Sequence, residues 1–181
     1  MQIIKNKAVV NDDWTVLRLK ENEAPENVTV PDGKVIIPLK VWLAQREKLK
    51  GRADRADLGV WLASDERPEV LKDDVKKFVV IAVDFPRFGD GRSYSIAYNL
   101  RARLGYTGEL RAIGDVLRDQ MFYMQRVGFD TFAPRPDRDI HEALKGLSDF
   151  SEVYQTSVDQ KFPLFRRVQR EGLDTTGKSD A

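Results

Sequence analysis

From Val35 onward, short and almost wholly apolar runs alternate with segments that carry apolar residues at helical spacing and stop at glycine. No other feature restricts the fold as strongly. The apolar runs are VIIPL (35–39), LGVWLA (58–63), FVVIAVD (78–84), ELRAI (109–113), FDTFA (129–133) and a weaker EVYQT (152–156). Between them, residues 40–51 end at Gly51, residues 68–77 open on Pro68, and residues 93–105 place Ile96, Ala97, Leu100 and Leu104 along one helix face. A fourth helix is expected over 116–127, closed by Gly128, and a fifth carries Ile140, Ala143, Leu144 and Leu147. This succession predicts an α/β fold of repeated βα units around a mainly parallel sheet. Strands of near-continuous apolarity fit burial on both faces by helices. Right-handed crossovers then allow a partial barrel-like arc of fewer than eight units or an open doubly wound sheet. Arg111 favours the arc. Beneath helices a mid-strand arginine is a costly buried charge, whereas at a barrel mouth it meets solvent, a carboxylate or a ligand.

The first thirty-odd residues read differently. QIIK, KAVV and WTVLRL are short strand-like runs divided at Asn6 and at Asn11, Asp12 and Asp13, which predicts a small antiparallel β flap. The expected organisation is a flap and linker over 1–33, a βα-repeat body over 34–160, and a tail over 161–181 whose last ten residues are expected to be disordered. With 181 residues, 30 basic side chains against 29 acidic and 41% hydrophobic residues, the chain can bury one core and announces no polyanionic partner. Neither nucleic acid nor an anionic membrane is expected. There is no cysteine, which excludes disulfides, thiolate nucleophiles, thiolate-held iron–sulfur clusters and tetrathiolate zinc. No basic stretch followed by an apolar core opens the sequence and no apolar run is long enough to span a bilayer, so the expectation is a soluble cytoplasmic protein.

In either fold, ligands bind outside the carboxyl ends of the parallel strands, where loops and helix N-termini present their polar groups. The third body strand delivers Asp84, Phe85, Pro86, Arg87, Asp90, Gly91, Arg92 and Ser93 to that rim; the fourth delivers Gly114 and Asp115; the fifth delivers Arg135, Asp137 and Arg138. Arginine forks and glycines that permit close backbone approach suit a phosphate or an oxyanion of sulfur, with Arg87, Arg92, Arg111 and Arg135 as anion-holding or docking residues beside Asp90, Gly91, Ser93, Gly114 and Asp119. Asp84 and Asp115 are the candidate catalytic bases. The same residues also suit a turn with capping side chains and mutually neutralised charges. His141 is the sole histidine, so a histidine metal cluster is excluded and no metal site is expected. The missing glycine-rich nucleotide fingerprints argue against dinucleotide and P-loop sites and leave flavin mononucleotide open. Trp42 and Trp61 are expected in the core, while Trp14 is the aromatic freest to touch a partner.

One stretch carries a resemblance. Phe85, Pro86, Phe88, Asp90, Gly91 and Arg92, then Leu100 and Arg101, then 108–112, 114–117, Asp119, Gln120 and 128–130 follow in order the hallmark run of a bacterial family of uncharacterised proteins described as oxidoreductases of sulfite reduction. The resemblance implies a role in assimilatory sulfite reduction, with the sirohaem-containing sulfite reductase hemoprotein as partner. It brings no catalytic residue or cofactor of its own. Two expectations follow: an accessory or electron-delivering protein, docking through the charged rim or through residues 162–165, or a small α/β enzyme acting on an anionic sulfur-containing or phosphorylated metabolite. A flavin carrier would need a planar apolar slot near residues 85–92.

Overall fold

The computed structural model of the protein describes residues 1–149, 153 and 155–167. Among these residues eight strands form one sheet: β1 (Gln2–Lys5), β2 (Ala8–Asn11), β3 (Thr15–Val16), β4 (Val35–Pro38), β5 (Leu58–Leu62), β6 (Val80–Phe85), β7 (Glu109–Gly114) and β8 (Thr131–Phe132). Their spatial order is β2-β1-β8-β7-β6-β5-β4-β3. From β3 to β8 every strand lies parallel to its successor in sequence. The β1–β2 hairpin, turning through the left-handed residues Asn6 and Lys7, then adds antiparallel to β8, with Ile4 opposite Phe132. A sequential order with no reversal is that of a βα barrel arc, so the doubly wound alternative is not adopted.

Connectivity explains the curl. β2 and β3 stand at opposite edges of the sheet, yet only Asp12, Asp13 and Trp14 join them. Seven interstrand spacings would separate those edges by roughly 34 Å in a flat sheet, while four Cα steps reach about 15 Å. The sheet therefore bends into a half-barrel.

Helices α1 (Leu39–Asp54), α2 (Arg92–Ala102), α3 (Arg118–Val127) and α4 (Ile140–Lys145) follow the strands, and a short α5 (Leu164–Arg167) lies beyond them. The strands present Val35, Ile37, Leu58, Val60, Ile81, Val83, Leu110 and Phe132 to one face, where Trp42 and Leu49 of α1, Ile96 and Leu100 of α2, and Met121 and Met124 of α3 complete the main core. The alternate residues Ile3, Ile36, Val80, Ala82, Ile113 and Ala133 fill a second, smaller cluster inside the curl, with Trp14, Val16 and Trp61 against it. Strand apolarity thus reflects one helix-covered face and one curled-in face, not helices on both.

Three local expectations are corrected. The third N-terminal run is not part of an antiparallel flap, because Thr15 and Val16 pair parallel with Val35 and Ile36 at the far edge of the sheet. The helix expected over 68–77 is two 3-10 turns, Pro68–Leu71 and Val75–Lys77. Asp74 interrupts it, because its carboxylate is captured by Trp42 Nε1 at 3.0 Å and by Lys77 Nζ at 2.7 Å. The strand expected over 129–133 contracts to Thr131–Phe132, since Asp130 turns its carboxylate onto Leu110 N and Arg101. The expected strand over 152–156 falls partly outside the described residues, as does the reading of the tail beyond residue 167.

Candidate functional site

The carboxyl ends of β3 to β8 open on one mouth of the half-barrel. At the end of β6, Phe85 sinks into the core with its ring 5.3 Å from Tyr94 and 5.7 Å from Phe129, so its ring serves packing. The chain then swings outward and returns at Asp90, which is buried. Its carboxylate accepts from Arg92 N at 3.1 Å, from Arg92 Nε at 3.0 Å and Nη2 at 2.7 Å, and from Ser64 Oγ at 2.6 Å. These bonds from Arg92 and Ser64 hold the Asp90 carboxyl far below the ordinary range and raise the Arg92 guanidinium in turn. Fully buried Ser93 does not cap α2; its Oγ donates to Asp84 O at 2.7 Å. Gly91 is the N-cap of α2, with open space around it. The corner is a closed clamp.

The loop within the clamp is the reverse. Residues 86–89 are exposed, Gln120 Nε2 fixes Phe88 O at 3.0 Å, and Asp90 N closes the turn on Arg87 O at 3.1 Å. Phe88 remains 57% exposed, and among the described residues Arg87 has no side-chain partner.

On β7, Arg111 points into the curl and is 1% exposed. Its Nη1 meets Asp12 Oδ2 at 2.8 Å, and its Nε and Nη2 meet Glu109 Oε1 at 2.8 and 2.7 Å, with Lys5 Nζ completing the chain on Glu109 Oε2 at 2.7 Å. Each of its three guanidinium nitrogens is engaged by a carboxylate. Three residues on, Gly114 has φ +90°, and a Cβ there would lie 2.5 Å from Phe85 O and 2.7 Å from Asp84 Oδ1. Glycine is obligatory where β6 and β7 end side by side. Asp115 and Arg135 meet at 3.2 Å, and Arg135 also grips Asp137 at 2.9 and 3.0 Å, which lowers the Asp137 carboxyl and raises the guanidinium. Asp119 is exposed in the first turn of α3, at a cavity it shares with Asp139 and Glu142. Exposed His141 lies in the first turn of α4, which Asp139 caps by accepting its N–H at 2.7 Å.

The expected rim residues therefore fall into separate groups. Arg92 and Asp90 make one, Arg135, Asp115 and Asp137 another, and Arg111, Gly114 and Asp84 lie around the interior of the curl. Residues not anticipated complete this last group. Arg18 Nη2 meets Asp84 Oδ1 at 2.6 Å, and its guanidinium sits 4.8 Å from the Trp61 ring, whose Nε1 donates to Leu17 O at 2.8 Å. Arg18, Arg111, Gly114 and Asp12 line one cavity of about 630 Å³, walled by Trp14, Val16, Ile113 and Ala133. A signal for this was present: Trp14, Val16 and Arg18 alternate at period two and so share a face. Trp61 is only partly buried, and Trp14, expected to be free, is half-buried against the second cluster. Among the described residues no three His, Cys, Asp or Glu side chains are grouped to hold a metal ion.

Half of the hallmark run lies at the opposite end of the sheet. Arg101 Nε donates to Gly128 O at 2.9 Å, its Nη1 to Tyr106 O and Gly108 O at 2.8 Å, and its Nη2 to Asp130 Oδ2 at 2.7 Å. Burial pushes the Asp130 carboxyl up against these donors. This knot ties α2 to the starts of β7 and β8, so Leu100, Arg101, Gly108, Gly128 and Asp130 answer for the frame and not for a rim.

No curated protein and no solved structure matches the chain. The sequence model of a bacterial protein family of unknown function, DUF934, matches residues 59–165, more than half of the chain and both ends of the hallmark run. The protein belongs to the DUF934 family.

Proposed function

We propose that the protein is an accessory of assimilatory sulfite reduction that docks on the sulfite reductase hemoprotein or passes electrons to it, as the resemblance of residues 85–130 implies. The observation that carries the docking part is the 86–89 loop, an exposed phenylalanine and an unengaged arginine held on a backbone clamped at both ends. Aromatic and arginine side chains presented without loss of loop entropy are the types that dominate interface energies. The rim arginines support docking over turnover of an anion, because Arg92, Arg111 and Arg135 are each closed on carboxylates of the same chain.

The test is surface plasmon resonance of the protein against purified sulfite reductase hemoprotein. We expect saturable binding that the double substitution Arg87→Glu, Phe88→Ser abolishes without changing the melting temperature. Unchanged binding by the double variant removes the loop as the docking surface. Electron delivery by the protein itself further requires flavin bands in its visible spectrum as purified; a colourless protein restricts the role to docking.

A second reading, a small α/β enzyme acting on an anionic sulfur-containing or phosphorylated metabolite, is favoured by the cavity beside Arg111 and Gly114. Both candidate bases, Asp84 and Asp115, already accept hydrogen bonds from arginine, so on this reading Arg18 and Arg135 hold them in place.

A further inference from the structure

We infer that the interior cavity at the mouth of the half-barrel is a binding site for an organic anion, with Arg18 as the group that holds the anionic head. The site is independent of docking through the 86–89 loop, and it names the residue on which the second reading turns.

Two cationic side chains line the cavity, Arg18 and Arg111. Each guanidinium nitrogen of Arg111 is already engaged by Asp12 or Glu109. Asp13 is paired with Lys34 at 2.5 Å. Arg18 alone is placed yet incompletely used: Nη2 meets Asp84, the guanidinium lies over the Trp61 ring, and among the described residues its Nε and Nη1 have no acceptor. A guanidinium stacked on an indole and pinned at one nitrogen is preorganised, so its remaining N–H groups can accept a carboxylate, sulfonate or phosphate at small entropic cost. Arg18 also lines a second cavity of about 210 Å³, where exposed Lys40 adds a further positive charge beside Glu66.

Size and walls define the rest of the ligand. At about 630 Å³ the interior cavity falls within the ordinary range for small-molecule sites of about 300–1,000 Å³, far more than a free tetrahedral oxyanion fills. Trp14, Val16, Ile113, Ala133 and Pro134 supply apolar surface for a carbon body. Gly114 keeps the approach to Asp84 clear, since any side chain there would begin 2.7 Å from Asp84 Oδ1.

The probe is 8-anilinonaphthalene-1-sulfonate, an aromatic body carrying a sulfonate, titrated by fluorescence into the 181-residue protein at neutral pH. We expect one saturable site. Arg18→Gln should weaken the Kd at least tenfold, and Ala133→Trp, which fills the cavity, should abolish binding. Loosened packing raises binding of this dye and full unfolding is read from the circular dichroism, so weaker binding by Arg18→Gln with an unchanged spectrum reports the lost guanidinium, and that variant decides the matter if Ala133→Trp fails to fold. p-Toluenesulfonate should displace the probe at concentrations at least tenfold below those of inorganic sulfate. Equal affinity for wild type and Arg18→Gln overturns the assignment of Arg18, and equal potency of sulfate and p-toluenesulfonate overturns the organic body. Neither result depends on the hemoprotein, so failure here and failure of docking are told apart.

Discussion

Gly114 and Tyr106 show how much a single position can carry. Gly114→Ala places a Cβ 2.5 Å from Phe85 O at φ +90° and should lower stability by about 3 kcal/mol, read as a shift in the urea midpoint. Tyr106 is buried, and the single proton of its hydroxyl is shared between Glu109 O at 3.0 Å and Phe78 O at 3.2 Å; burial pushes the phenol well above its usual range. A raised acid contributes stability that is complete below the unfolded value of about 10 and is lost as pH climbs through the folded one. Tyr106→Phe should therefore cost about 1–2 kcal/mol at pH 8, and the gap to wild type should narrow above pH 10. Asp90 runs the other way. Arg92 lowers its carboxyl, so its contribution is complete above pH 4 and lost below, and the difference in melting temperature between wild type and Asp90→Asn should shrink as pH falls from 4. The turn at Asp90 and Gly91 and the interior place of Arg111 could be read from the sequence. Of the partners of Arg111, Glu109 shares its strand face two residues away, but Asp12 could not be read, because it lies 99 positions off and nothing local marks that pairing.

At the scale of elements, glycine stops and apolar spacing located α1, α2 and α3 to within a few residues, since those signals are local. They failed at 68–77, where a tertiary bond decides. The indole of Trp42 packs edge-on to Phe78 at 4.9 Å and donates to buried Asp74, which fastens α1 over both 3-10 turns. Trp42→Phe keeps an aromatic ring but removes the donor and part of the volume, and should cost about 2–3 kcal/mol, measured by chemical denaturation. A cost below about 1 kcal/mol would show that the turns hold without this link. The mouth residues Arg18 and Trp61 escaped the sequence reading for a related reason. β3 reads as the end of an N-terminal ribbon, and only its pairing with β4 brings it to the carboxyl end of the sheet.

For the whole molecule, the curl rests on the three-residue link between β2 and β3 and on the pairing of β1 with β8. Removing residues 1–14 uncovers β8, takes Asp12 from Arg111 and deletes part of the inner cluster. We expect that truncation to lose its sharp thermal transition and its near-ultraviolet circular dichroism, while a sheet that needed no such closure would keep both. The pairing of β1 with β8 also bears on the order of events at the ribosome. Ile3 and Ile4 are synthesised well before their cover on β8, which does not exist until Phe132 has emerged, and a two-stranded hairpin alone is marginal in water. A nascent chain stalled before β8 therefore holds the β1–β2 hairpin exposed to proteases and chaperones, and the hairpin becomes resistant only once β8 has joined it.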